Sequence, residues 1–388
     1  MPSDLDVLLA DAAEVIPEDE LREKLARRTP LRVKLGLDPT APAVTLGWAV
    51  VLRKLRDFQR LGHTAVLIVG DFTARVGDPS GKSETRPRLP KETVQRFADD
   101  LLEQFWLILD RDVTEVRYNS EWLEPMDMED VLRMTAATTV ARMLERDDFS
   151  KRYAGGQPIS LMEFMYPLLQ GMDSVAVEAD VELGGTDQKF NLLMGRDLQR
   201  DHGQEPQVAF TMPLLEGLDG VQKMSQSLGN YVGVTEPADE MFGKLMSIPD
   251  ELIDRYTELC TDLEPDEGHP NERKRRMARA VVDLYHPGAG EQAEARFDQV
   301  FKRHEVPEDL DEVAIPDVAI RQGRVSVPHL LASVGLAASN SQARRLIKQG
   351  GVKVDGAPVD DPEALMDPSQ LTGKVIQVGH RKMVRIAP

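Results

Sequence analysis

Apolar residues in the first part of the chain fall into short runs separated by one amphipathic segment. Leu31-Arg32-Val33-Lys34-Leu35-Gly36-Leu37 is a largely apolar run that stops at Asp38-Pro39, the pattern of a buried strand entering a loop. Between Ala49 and Leu61, the residues Val51, Leu52, Leu55, Phe58 and Leu61 share one helical face, and Gly62 supplies a C-cap. Ala65-Val66-Leu67-Ile68-Val69-Gly70 is a second strand-like run. Strand, helix, strand in that order predicts a right-handed crossover and a parallel sheet. The turn before the helix, with Gly47 at its entrance, then lies where such sheets bind nucleotides, because a helix N-terminus offers unpaired N–H groups and a positive dipole end to phosphate.

The later pattern is mixed. Asp127 to Arg146 and Ser160 to Asp173 have helical apolar spacing, whereas Val175, Val177, Ala179, Val181 and Leu183 alternate as in a strand. From about Glu236 to Arg303 the pattern is mostly helical, and Arg273-Lys274-Arg275-Arg276 reads as one solvated helix face. Glu305 to Pro316 is acidic and carries Pro307 and Pro316, as a linker would. A chain of 388 residues exceeds the usual limit for one hydrophobic core, so two or three domains are expected.

Charge changes this picture in one place. The net charge of −19 argues against indiscriminate coating of nucleic acid. From Arg321 to Pro388, however, ten Lys or Arg face five acids, so the tail carries +5 and the remainder −24. A small basic module behind an acidic body suits an RNA contact confined to particular surfaces. One cysteine, Cys260, and seven scattered His leave no disulfide framework and no ligand set of zinc-site spacing, so no metal site is expected. Without a run of about 18 apolar residues or a signal-peptide-like N-terminus, the chain reads as soluble and cytoplasmic, with no membrane association.

Candidate chemistry is concentrated in four segments. Leu37-Asp38-Pro39-Thr40-Ala41-Pro42-Ala43-Val44-Thr45-Leu46-Gly47-Trp48 and Lys223-Met224-Ser225-Gln226-Ser227 resemble the H-I-G-H and K-M-S-K-S signatures of class I aminoacyl-tRNA synthetases. Thr45 and Trp48 stand at the histidine positions, and Gln226 stands at that of the second lysine. Asp71 to Lys82 combines glycines, hydroxyls, a lysine and carboxylates after a strand; taken alone, Gly77-Asp78-Pro79-Ser80-Gly81 is ordinary turn chemistry. Tyr166, Gln170 and Asp173 are spaced for adjacent faces of one helix. The order of these segments, continued through Asn119-Ser120-Glu121-Trp122, Val140 to Phe149, Gly156 to Ser160, Glu182 to Asn191 and Met212 to Gly217, closely resembles the bacterial tyrosyl-tRNA synthetase family. Val327 to Leu331, Ser339 to Ile347 and Gly350 to Gly356 resemble the S4 RNA-binding fold.

The resemblance implies an α/β protein: a Rossmann-type catalytic domain over 1–232, a helical anticodon-side domain and linker over 233–316, and an α+β S4 domain over 321–388. It implies that Gly36, Asp78, Tyr166, Gln170, Asp173 and Gln188 bind tyrosine. Among them, Asp78, Tyr166 and Gln170 meet the ammonium, Asp173 receives the phenol, and Gln188 holds the activated carboxyl region. Asp38, Gly47, Trp48, Lys223, Met224 and Ser225 would bind ATP, arriving with Mg2+, and Lys223, Lys82, Arg86 and Thr45 would assist the chemistry. Arg344, Arg345 and Lys348 would meet RNA phosphates. The expected activity is ATP-dependent tyrosine activation and transfer to tRNA(Tyr), by a homodimer. Two rivals remain open: a relative that kept the pocket and lost or redirected the chemistry, and a non-enzymatic RNA-binding protein.

Overall fold

The structure is a computed structural model that describes residues 3–79, 90–301, 310–321, 323–379 and 382–387. It divides into two compact units, one made of Met1–Pro237 and Lys244–Pro287, the other of Ala238–Gly243 and Gly288–Pro388.

The first unit is built on six strands: β1 (Glu14–Ile16), β2 (Arg32–Leu37), β3 (Thr64–Val69), β4 (Thr114–Tyr118), β5 (Val181–Gly185) and β6 (Val208–Met212), in the order β1-β6-β5-β2-β3-β4. All pairs are parallel except β1 with β6. The helix Leu46–Arg60 makes the expected crossover from β2 to β3, burying Leu52, Leu55 and Phe58, and Gly62 follows it at φ +89. Because β3 lies on one side of β2 and β5 on the other, the chain leaves their carboxyl ends in opposite directions and opens a crevice between them.

The helices Leu161–Ala176 and Lys189–Asp201 pack close together beside that crevice. A Cβ on Gly171 would come within 2.5 Å of Leu198 Cδ1, and one on Gly195 closer still to Gln207 Nε2 and within 2.9 Å of Ser174 Oγ, so a side chain at either position would force its neighbours to shift.

Several expectations need correction. The Ser160-capped helix continues to Ala176, and Glu178 turns the chain at φ +50, so only Val181 onward is strand. The Val175–Ala179 alternation arises because Val177 and Ala179 pack into a small core with Val66 and Ile68 while belonging to a helix end and a turn. The Asp127–Arg146 segment is two helices, Met128–Ala136 and Val140–Met143, because Thr139 recaps the chain by accepting from the Arg142 N–H at 3.2 Å. Within the helix Pro270–Tyr285, Lys274 and Arg275 are buried rather than solvated. Lys274 donates to the Ile248 carbonyl at 2.7 Å and to Asp250 at 2.6 Å, and Arg273 pairs with Asp254, so this basic run is internal ion pairing.

In the second unit, β7 (Glu312–Val313), β8 (Ile320–Arg321), β9 (Arg324–Ser326), β10 (Val352–Val354), β11 (Ala357–Pro358), β12 (Leu365–Met366), β13 (Val375–Val378) and β14 (Lys382–Ile386) form two sheets, β11-β10-β13-β14-β7 and β12-β9-β8. The helices Val327–Ser333 and Asn340–Lys348 share a core with them through Leu330, Leu331, Ile347 and Ile376. Part of the expected linker is therefore strand: Glu312 and Val313 pair with Arg385 and Ile386. Residues 305–309 of that linker lie outside the described residues. Among the described residues no helix is long and apolar enough to cross a membrane.

Candidate active site

A cavity of about 560 Å³ opens at the carboxyl ends of β2 and β5, and the expected residues Gly36, Asp38, Thr45, Gly47, Trp48, Asp78, Tyr166, Gln170, Asp173, Gln188, Lys223, Met224 and Ser225 all line it. Lys82 and Arg86 lie outside the described residues.

One end of the cavity is made by the two altered loops. Thr45 is the N-cap of the Leu46–Arg60 helix, its Oγ1 accepting from the Trp48 N–H at 3.4 Å. The Leu46 N–H donates to the Val232 carbonyl at 2.9 Å and the Gly47 N–H to Met224 Sδ at 3.4 Å. The helix entrance was expected to offer unpaired N–H groups. Its first three are instead taken, two by the segment around Met224 and Val232 that folds back over it and the third by the Thr45 side chain. Met224 is a weak acceptor, so its contact is the one a phosphate would most readily replace.

Trp48 is half-exposed and leans on Phe105 with ring centroids 6.4 Å apart. Lys223 Nζ sits 2.6 Å from Asp187 Oδ2, and the Gln226 amide donates to the Ala43 carbonyl of the first loop. Where a second lysine would bring charge, this chain has a neutral tie between the loops.

The other end is rich in carboxylates and amides. Tyr166 donates to Asp38 Oδ2 at 2.8 Å and Thr73 to Asp38 Oδ1 at 2.7 Å, so Asp38, expected on the nucleotide side, turns its carboxylate toward Tyr166. A Cβ at Gly70 would collide with Asp38 and Thr73, which explains that glycine. Asp78 accepts from Gln188 Nε2 at 2.9 Å and lies 3.4 Å from Arg146. Asp173 is buried and accepts from the Trp122 indole at 2.9 Å and from Asn119 at 3.4 Å.

Burial pushes the pKa of Asp173 up to about 7, against the opposing influence of Lys34 and the two donors. Burial likewise pushes Asp38 to about 7, despite its hydrogen bonds from Thr73 and Tyr166, with Asp78 and Asp173 adding to the rise. Burial and the same carboxylates keep the Tyr166 phenol protonated.

Sequence reasoning assigned no role to Trp122, Asn119, Arg146 or Asn191, although each lies in a segment of the family resemblance. It also passed over Lys34 and Glu182, which are fully buried on β2 and β5. A charge inside an apolar run, Lys34 between Val33 and Leu35 and Glu182 between Val181 and Leu183, was the available signal. In the second unit, Arg345 and Lys348 are exposed on the helix Asn340–Lys348, while Arg344 is 2.5 Å from Glu363.

A family model described as tRNA synthetases class I (W and Y) matches residues 26–302, and an S4 domain model matches residues 329–370. The tyrosine–tRNA ligase of Moorella thermoacetica is 51% identical over 399 residues, covering 98% of this chain and 95% of that protein. That of Oleidesulfovibrio alaskensis is 50% identical over 401 residues, covering 100% and 99%. Among solved structures, a C-terminally truncated Aspergillus nidulans mitochondrial tyrosyl-tRNA synthetase aligns with a TM-score of 0.64 at 21% identity, covering 78% of this chain and 95% of that one. The Archaeoglobus fulgidus tyrosyl-tRNA synthetase complexed with L-tyrosine aligns with a TM-score of 0.60 at 23% identity, covering 76% and 98%. These two show a shared fold, and with the full-length matches near half identity they place the chain in the tyrosyl-tRNA synthetase family of class I aminoacyl-tRNA synthetases.

Proposed function

We propose that this chain is a tyrosine–tRNA ligase. The carboxylate of tyrosine attacks the α-phosphate of ATP and pyrophosphate leaves; a terminal ribose hydroxyl of tRNA(Tyr) then attacks the tyrosyl carbonyl and AMP leaves. The observation that carries the reading is Asp173, a buried acceptor in the same cavity as the Asp78, Tyr166 and Gln170 cluster. Such a cavity offers a phenol acceptor and an ammonium site to a single ligand. Lys223, with Lys82 and Arg86, would stabilise charge on the departing pyrophosphate, and Thr45 would offer one neutral donor. Magnesium would arrive bound to the nucleotide phosphates. Pyrophosphate exchange with L-tyrosine tests this: exchange dependent on tyrosine supports it, and exchange with another amino acid alone overturns it.

A second reading is favoured by one specific observation. Neither Trp48 nor Gln226 presents a charge to the nucleotide end, and Gln226 is committed to the Ala43 carbonyl. A protein that binds tyrosine but shows no exchange would be a relative with lost or redirected chemistry. Tyrosine binding itself would count against a purely RNA-binding role.

The proposal extends to organisation: 1–232 as catalytic domain, 233–316 as the helical anticodon-side part and 321–388 as the S4 domain that meets tRNA. A homodimer is supported by the exposed apolar side chains Met128, Leu132, Val140, Tyr153 and Leu161. Sedimentation of the intact chain tests that state.

A further inference from the structure

Lys34 and Glu182 are register partners on adjacent parallel strands, and both are fully buried. Their ion pair is 2.8 Å long and lies under the helix Leu161–Ala176 that carries Tyr166, Gln170 and Asp173. Lys34 Nζ also donates to the Gln170 carbonyl at 2.9 Å and to Ser174 Oγ at 2.7 Å, so three acceptors surround the ammonium group. Glu182 accepts from Gln170 Nε2 at 3.0 Å, from Ser174 at 3.1 Å and from Gln207. A buried pair this well satisfied is strongly destabilised by loss of one partner, yet replacing both by apolar residues is often neutral. Stability alone does not account for its being ionic.

Its consequence is directional. A carboxylate only accepts, so Glu182 must face the NH₂ end of the Gln170 amide, and Oε1 turns the other way. Asn191 Nδ2 donates to that Oε1 at 3.0 Å and to Gln188 Oε1 at 3.0 Å. Arg146, which only donates, fixes the opposite end of Asn191 through Oδ1 at 3.2 Å. Gln188 Nε2 then faces Asp78 at 2.9 Å. Ions at the ends of the chain therefore determine how all three amides point.

We propose that the Lys34–Glu182 pair is a positioning element for amino-acid recognition: it orients the Gln170 amide so that its oxygen, not its NH₂, is presented to the ammonium of the bound amino acid. This rests on the tyrosine-binding reading above. With the amide reversed, an NH₂ group would meet a cation.

Calorimetry of L-tyrosine binding to the full chain tests the idea. In Glu182→Gln, residue 182 can donate as well as accept, so the Gln170 amide keeps its contact with Asn191 but loses the carboxylate that forbids the reversed orientation, and tyrosine affinity should fall about ten- to a hundredfold. Adding Gln170→Glu to that variant gives residue 170 an acceptor in either orientation, with the amide introduced at position 182 free to donate to it. Affinity should return to within about threefold of the parent, a rescue that general damage to the core would not show. Should Glu182→Gln fail to fold, Lys34→Met with Glu182→Met removes both charges together and should show the same loss of affinity. Unchanged affinity in the folded variants, or no rescue by Gln170→Glu, overturns the positioning role alone. A parent that does not bind L-tyrosine overturns the underlying reading and this inference with it.

Discussion

Trp122 donates its indole N–H to Asp173 Oδ1 at 2.9 Å, while the Arg117 guanidinium lies 5.4 Å from the centre of the same indole ring. The tryptophan is thus held on one side by a cation and holds a buried carboxylate on the other. Asn119 reaches the second oxygen, Oδ2, only at 3.4 Å, which leaves that oxygen with capacity to accept a ligand phenol.

Tyrosine should therefore bind far more tightly than phenylalanine, which would leave Asp173 without its phenol partner. An apolar pocket separates the two by about 10²-fold, whereas a site built to bond the hydroxyl, of which tyrosyl-tRNA synthetases are themselves the standing example, reaches about 10⁴ to 10⁵ in reaction specificity. Asp173→Asn should erode the preference, and Asp173→Ala should nearly abolish it with a loss of affinity or stability. Calorimetry with both amino acids on the parent and the two variants measures this; comparable parent affinities would remove the tyrosine assignment.

Stability and ligand binding should respond to pH in opposite directions. Asp38 and Asp173 have folded pKa values raised from 3.8 to about 7. Between those values the folded chain retains protons that the unfolded chain has released, so the contribution of these groups to stability is present at low pH and is lost as pH rises through that window. Tyrosine brings an ammonium and a phenol donor, which favour ionised carboxylates. Its affinity should rise across pH values from about 6 to 8, with net proton release on binding. Calorimetry in buffers of different ionisation enthalpy reads both, and proton uptake would contradict the assignment.

If the altered loops limit activation, Thr45→His, Trp48→His and Gln226→Lys together should accelerate pyrophosphate exchange. Each restored charge-assisted contact is worth about 1.5–3 kcal/mol, or roughly ten- to a hundredfold in rate. Single changes should gain less than the combination, because Thr45 and Trp48 share one helix turn and Gln226 bonds the same loop. A triple variant no faster than the parent would locate the limit elsewhere.

Charge reversal at Arg345 and Lys348, both exposed on one helix, should weaken tRNA binding and flatten its salt dependence while tyrosine activation stays nearly constant. Filter binding over a salt series, beside pyrophosphate exchange, separates the two effects; equal loss of both would defeat the modular reading. A truncation starting at Arg321 is the poorer test, because it removes β14 and orphans β7.

The elements that carry the cavity were legible in the chain because local periodicity reports burial. The apolar runs ending at Leu37 and Val69 are β2 and β3, the intervening one-faced segment is the crossover helix, and the spacing of Tyr166, Gln170 and Asp173 did mark one helix lining the cavity. Periodicity says which face is buried and nothing about what it meets. Val177 and Ala179 alternate like a strand but are buried from a helix end and a turn, and Lys274 looks solvated on a basic run but points at Asp250. The pairing of Lys34 with Glu182 and of Trp122 with Asp173 depends on sheet order. Only the insertion of β5 beside β2 brings two residues so distant along the chain into register, and only the packing of the Leu161–Ala176 helix over those strands turns a lysine in an apolar run into a partner of the amino-acid site. Such contacts are decided by tertiary structure because their energy comes from desolvation and long-range hydrogen bonding, which no local window of sequence contains.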